Sequence, residues 1–277
     1  MGTARPLVHI EAATLAGGDN NQDRYAYGDG WAFVLDGATS YSDTPPVHDG
    51  GWYAERLKNA LAPRLTKHPE RPTVDIVADS IREAASAHHP SQGPCPTSTI
   101  ALARWNTDQV ELYILGDSYA CALTDDGPII LTDDRIKQFG KGLRTEYRRR
   151  LREGHGFDER HHEILKAIQH VERAHRGRDD GYWVAADVEA ASRHGAISRL
   201  STKSVNRVAL LTDGLNVWTT LLQLQMRPHM RIREPLLHTA RNESMDPHGQ
   251  SVPRSKCADD KTILVAAFRK CLASLSD

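Results

Sequence analysis

The sequence is short of cysteine, of long apolar runs and of any excess of charge, and each shortage removes a class of protein. Only four of the 277 residues are cysteines, Cys95, Cys121, Cys257 and Cys271, and no two form a CxxC pair. That excludes a disulfide scaffold and reads as ordinary thiols in a reducing compartment. The longest uninterrupted apolar run is six residues, Ile263 to Phe268, far below the roughly 20 needed to span a bilayer. Met1-Gly2-Thr3-Ala4-Arg5-Pro6 carries no apolar signal core, so a cytoplasmic protein without a membrane partner is expected. Thirty-five Lys and Arg stand against 36 Asp and Glu, a net charge of −1, and no nucleic-acid partner is expected from that balance. Also missing are a nucleophile elbow, a C-x5-R loop and a G-x-x-x-x-G-K-[ST] loop. What remains, 39% apolar and 26% charged, fits a globular chain able to bury a sizeable core.

The pattern along the chain alternates strands and helices. Leu7 to Thr14, Arg24 to Tyr27 and Trp31 to Leu35 read as strands, the last two joined at Gly28-Asp29-Gly30. Helices are expected at Trp52–Leu65, with Tyr53, Leu57, Ala60, Leu61 and Leu65 inward, and at Thr73–His88. In the second, Thr73 is the expected N-cap and Val74, Val77, Ile81, Ala84 and Ala85 the buried stripe. Ser98–Arg104, Val110–Leu115, Tyr119–Thr124 and Pro128–Thr132 then suggest an antiparallel meander. Residues 135–178 read as basic and helical. Strands are expected at Gly181–Val184, Ala196–Leu200, Arg207–Leu211 and Thr262–Phe268, and helices at Leu215–Gln225 and around Pro235–Met245. The order describes an α+β fold, a central antiparallel β-sandwich with helices packed outside it, in one domain over residues 1–277.

Aspartates stand where strands stop. Trp31–Leu35 runs into Asp36-Gly37, Leu112–Leu115 into Gly116-Asp117-Ser118, and Val208–Thr212 into Asp213-Gly214; Asp259-Asp260 precedes the last strand. Taken singly, each Asp-Gly reads as a turn dipeptide. Taken together, carboxylates gathered at one sheet end would repel one another, and a divalent cation removes that repulsion. All-oxygen ligation selects Mg²⁺ or Mn²⁺ over zinc.

At these residues the chain resembles the metal-dependent protein phosphatases, the type 2C or PPM family of Ser/Thr phosphatases, in its bacterial form. Asn21-Gln22-Asp23-Arg24 is similar to the family's N-E-D-R segment, and Phe33–Gly37 to its strand ending in D-G. Thr97-Ser98-Thr99 resembles G-S-T, Gly116-Asp117-Ser118 G-D-S, Leu211–Gly214 S-D-G, and Asp259-Asp260-Lys261-Thr262 the segment before the last strand. The resemblance implies a four-layer αββα fold with two, or three, Mn²⁺ or Mg²⁺ ions at one end. By the same resemblance Asp36 bridges two metals, Asp213 and Asp259 hold the first, and the Gly37 carbonyl and Asp23 serve the second. Asp117, with Asp213, forms a weaker third site. Asp36, Asp213 and Asp259 would carry catalysis, a metal-activated water attacking phosphorus in line.

The chain also departs from the pattern. Gln22 stands where the family usually has Glu, Ala38-Thr39 replaces the His-Gly-Gly of many eukaryotic members, and the phosphate-binding Arg of some members has no counterpart in Leu15-Ala16-Gly17-Gly18. Arg24 is near but points into the fold in this reading, and His48, lacking a visible orienting partner, reads as solvent-facing. Segment 135–178 holds thirteen Lys and Arg against six Asp and Glu. It reads as a solvated helical face, or as a basic flap, about 135–180, that attracts phosphorylated or acidic substrates. His155, His161, His162 and His170 fit no zinc spacing. Ala240–Lys256 reads as a loop over the site or an ordinary connection.

The function expected from these observations is metal-dependent hydrolysis of phosphoserine and phosphothreonine in proteins. Phosphorylated proteins are the expected partners and a monomer the expected state. Two alternatives stand beside it: a catalytically weakened phosphatase-fold module that binds phosphoproteins or regulates, and a hydrolase of small phosphorylated metabolites.

Overall fold

The computed structural model describes residues 7–41, 46–227 and 230–268. Met1–Pro6, Cys271 and residues 42–45 of the Ala38–Gly50 loop lie outside them. Among the described residues, ten strands in chain order make two five-stranded antiparallel sheets. One sheet runs β1 (Val8–Leu15), β10 (Lys261–Phe268), β9 (Val205–Leu211), β6 (Tyr119–Thr124), β7 (Gly127–Leu131). The other runs β2 (Arg24–Gly28), β3 (Trp31–Leu35), β4 (Ile100–Trp105), β5 (Gln109–Leu115), β8 (Ala196–Ser201). Helices α1 (Gly50–Lys67) and α2 (Thr73–Ala85) cover the second sheet, and α5 (Val217–Met226) and α6 (Glu234–Met245) the first. The fold is α+β, in the four layers α, β, β, α.

Burial on both faces explains the strands' sequences. Trp31-Ala32-Phe33-Val34-Leu35 is wholly buried without a polar residue. Trp31, Phe33 and Leu35 pack on Tyr53, Leu57 and Leu61 of α1 and Ile76, Val77 and Ile81 of α2. The alternate residues Ala32 and Val34, with their β4 neighbours Ala103 and Ala101, face the other sheet, where Ala120, Ala122 and Ala266 are opposing small side chains. Period-two alternation therefore separates two buried faces rather than core from water.

Four expectations are corrected. The proposed meander divides between sheets: β4 and β5 pair in one, β6 and β7 in the other. The chain changes sheet at Gly116, whose φ of 92° lies where a side chain would be strained. Gly181–Val184 is not a strand; Tyr182 makes only an isolated bridge to Arg176. Thr73 is the first helical residue after Pro72 rather than the cap, and its hydroxyl donates to Glu111 of β5 instead. In α2 the inward residues are Thr73, Ile76, Val77, Ser80, Ile81 and Ala84, with Val74 and Ala85 only half-buried.

Residues 135–178 form α3 (Lys141–Arg152) and α4 (Glu159–His175), packed together through Tyr147, Leu151, Ile164, Leu165 and Ile168. Gln169 of α4 donates to the Thr39 carbonyl at 2.8 Å and accepts from the Tyr41 amide at 3.2 Å, tying this pair to the loop after β3. Among the described residues no helix is long and apolar enough to cross a membrane.

Candidate active site

Strand register brings the acidic residues together. Leu211 of β9 pairs with Tyr119 of β6 on one side and Ile263 of β10 on the other. Asp213 just after β9, Asp117 just before β6 and Asp259 just before β10 therefore emerge at one end of the first sheet. Asp36 follows β3 of the facing sheet, and its carbonyl accepts from the Thr99 amide at 2.9 Å. The four carboxylates line one open cleft of about 520 Å³. Asp23 lies behind it, 3% exposed. Its Oδ2 accepts from the Thr212 hydroxyl at 2.8 Å, while its Oδ1 is buried without a partner.

Crowding and lost solvation hold these groups in unusual protonation states. Burial, then the charges of Asp23, Asp213 and Asp259, push the Asp36 carboxyl well above the usual carboxylate range. The Asp213 side chain is reached by water through the open cleft, yet the walls displace much of its solvation. Together with Asp117 and Asp259 they raise it to about 7, against the pull of a hydrogen bond with Asp36. Burial likewise lifts Asp23 to about 7, with Thr262 and Thr212 opposing, and burial raises Asp117, against nearby Lys137. Such a cluster is costly unless it is neutralised. One cation already stands there: Lys256 Nζ lies 2.5 Å from Asp259 Oδ1 and attracts Asp36 and Asp213 as well.

The residues fit a hard divalent cation. The donors are all oxygen, and the orphaned Oδ1 of Asp23 is a buried acceptor awaiting a partner. Gly37 forms a cradle that a side chain would fill, since a Cβ would meet the Gly50 carbonyl oxygen at 2.5 Å and that of Gln22 at 2.8 Å. As they stand, no group of three or more His, Cys, Asp or Glu side chains among the described residues is gathered tightly enough to hold an ion.

Adjacent residues have different surroundings. Asp260 is turned from the cleft: Oδ1 accepts from the Gly17 amide and Oδ2 from the Gln22 amide, each at 2.8 Å. Gln22 Oε1 accepts from the Thr39 hydroxyl at 3.0 Å. Arg24 is committed to Glu55 of α1 at 2.6 Å and to the Asn21 and Asp23 carbonyls. His48 is half-buried: it lies flat on Trp52 with ring centroids 3.8 Å apart and lines the open cleft. His161 is buried between Tyr147 and Phe157, with Nε2 2.9 Å from the Ser255 carbonyl.

The basic segment divides by direction. Arg149 and Arg150 pair with Glu153 and Asp158, whereas Arg144, Arg173 and Arg176 line the cleft, Arg144 paired there with Glu172 of α4. The stretch before Asp259 is more than a connection, because it puts Lys256 among the acids. Lys256, Tyr41 and these three arginines were not singled out in the sequence. The spacing of Lys256 three residues before Asp259 was the one local signal.

The sequence model of the family described as protein phosphatase 2C matches residues 12–248. No curated protein sequence matches. Among solved structures, the catalytic domain of the serine/threonine phosphatase PstP in complex with two manganese ions is similar, with 17% identity, a TM-score of 0.55, and 95% of this chain and 99% of that one covered. The PPM Ser-Thr phosphatase MsPP from Mycobacterium smegmatis, in complex with cacodylate, gives 14% identity and a TM-score of 0.54 over 96% of this chain and all of that one, 100%. Serine-threonine phosphatase 2C from Toxoplasma gondii gives 14% and 0.56, covering 97% and 96%. At these identities the likeness is one of fold.

Proposed function

The chain belongs to the protein phosphatase 2C family, and on that premise we propose that it hydrolyses phosphoserine and phosphothreonine esters in proteins, using Mn²⁺ or Mg²⁺ held by the acidic cleft. The observation that carries the reading is the convergence of Asp36, Asp117, Asp213 and Asp259, from four separated segments, on one open cleft. Asp36 would be shared by two ions, Asp213 and Asp259 would serve one, and the Gly37 carbonyl and Asp23 the other. Asp117, beside Asp213, would serve a weaker third. Bound divalent cations supply an activated water and stabilise charge on the departing oxygen. PstP, which shares the fold, binds two manganese ions.

The chain's own residues do the remaining work. Arg173 and Arg176 bring to the rim positive charge that draws in a phosphorylated segment, while Arg144 is held by Glu172. Burial pushes the Tyr41 hydroxyl up to about 12, so its Oη keeps its proton and acts as a donor near Asp259 and Asp213. Segment 135–178 serves as a flap, tied by Gln169 to the loop after Asp36. In the same reading the protein is one cytoplasmic catalytic domain with no nucleic-acid or membrane partner.

Release of phosphate from a phosphothreonine peptide is expected in Mn²⁺, and its loss in EDTA and in Asp36→Asn and Asp213→Asn. Unchanged rates in those variants would overturn the assignment, and faster turnover of small phosphorylated metabolites would move the substrate class. One arrangement favours a second reading, a phosphoprotein-binding module: Gln22 is neutral and already engaged by Thr39. Its signature is peptide binding without phosphate release.

A further inference from the structure

Resting on the reading of the cleft as a metal centre, we propose that Lys256 is a built-in competitor for the divalent cation, an ammonium that must withdraw from Asp259 before the site loads. Lys256 Nζ is in contact with Asp259 at 2.5 Å and lines the same cleft as Asp36 and Asp213, from two further segments, where its charge opposes the rise of both carboxyls. These three are the carboxylates on which the proposed centre depends most.

The placement is built rather than casual. Lys256 sits between two backbone carbonyls that are both held. The Ser255 carbonyl lies 2.9 Å from His161 Nε2 on α4, and the Cys257 carbonyl accepts from Arg254 Nε at 3.0 Å. Arg254 is itself clamped by the Asp246 carboxylate at 3.0 Å and by the Glu243 and Asp246 carbonyls. Asp246 also accepts from the amides of Gln250, Ser251 and Val252. The loop thus fixes the root of the side chain and aims it at the acids. Its four-carbon stem remains the mobile part, and with 27% of the side chain exposed to the open cleft it has somewhere to go.

The consequence is a threshold. Without metal, the ammonium neutralises carboxylates that would otherwise repel one another across the cleft. A dication attracts the same groups more strongly, but entering also breaks the Lys256–Asp259 pair and places like charges close together. The site therefore loads at a higher metal concentration than its carboxylates alone would require.

Calorimetric titration of the metal-free full chain with MnCl₂ tests this in wild type, Lys256→Met and Lys256→Gln. Both variants are expected to bind Mn²⁺ at least about 10-fold more tightly, the scale of removing one nearby unit charge. A second measurement needs no variant: labelling of Lys256 by an amine-reactive reagent, read by mass spectrometry, is expected to rise when Mn²⁺ replaces EDTA. Equal or weaker affinity in folded variants, or unchanged labelling in Mn²⁺-loaded wild type, overturns the competitor role and leaves the metal reading standing. Absence of Mn²⁺ uptake in wild type and variants alike overturns the metal reading and the inference with it.

Discussion

Asp259 and Asp260 are neighbours in the chain with opposite surroundings. Asp259 opens into the cleft and meets Lys256, while Asp260 accepts two backbone amides of the loop between β1 and β2. The first is available to a ligand, and the second holds the fold. Asp260→Ala strips two amides of a charged acceptor and is expected to cost roughly 2–4 kcal/mol of stability in urea unfolding. Asp259→Ala is expected to cost under about 1 kcal/mol, because its ion pair is partly solvated, yet to lose Mn²⁺ affinity. The reverse pattern would exchange the two roles.

The pH dependence of the metal-free protein follows from Asp23 and Asp213, each near 7 when folded against 3.8 as the ordinary value. Between these values the folded chain holds protons that the unfolded chain has released. These groups' stability is fully present below about pH 4 and is lost as pH rises through 7. Calorimetric melting in EDTA should therefore give a falling Tm from pH 5.5 to 8, as these values place it. Mn²⁺ favours the ionised carboxylates and should abolish or reverse that slope. A Tm in EDTA that rises over this window contradicts the assignment.

Lys261 is 1% exposed and pairs with Glu243 of α6 at 2.6 Å, while also donating to the Asp259 carbonyl at 2.5 Å. Removing its partner leaves a buried ammonium uncompensated. Glu243→Ala is expected to lose about 3–5 kcal/mol. The double variant Lys261→Met with Glu243→Leu should recover most of that, since neither buried charge remains. Chemical denaturation of the three chains measures both values.

At the rim, Arg173→Ala should raise KM for a phosphopeptide by about two- to fivefold with little change in kcat, as expected of a solvated charge contact. The difference should shrink at high salt. Steady-state kinetics at two ionic strengths reads both.

Much of the site was legible because it rests on short-range rules. Asp36, Asp117, Asp213 and Asp259 stand at the ends of apolar strands, and antiparallel register then carries them to one end of the sandwich without further information. The sheet change at Gly116 left no such mark, since a tight turn looks the same whether the next strand pairs locally or crosses over. Gly181–Val184 was apolar enough for a strand but is buried as a connecting segment. Lys256 was hidden for a different reason. Its position depends on Asp246 organising a loop without periodicity, and on His161 reaching it from a helix 94 residues away in sequence. The stacking of His48 on Trp52, four residues on, carries no sequence mark either.

Anomalous diffraction at the manganese edge, from crystals of the full chain grown with MnCl₂, tests the central claim most directly. Two strong peaks are expected in the cleft, one bounded by Asp36, Asp213 and Asp259, the other by Asp36 and the Gly37 carbonyl. A cleft without manganese, or manganese bound away from Asp36, would contradict the account.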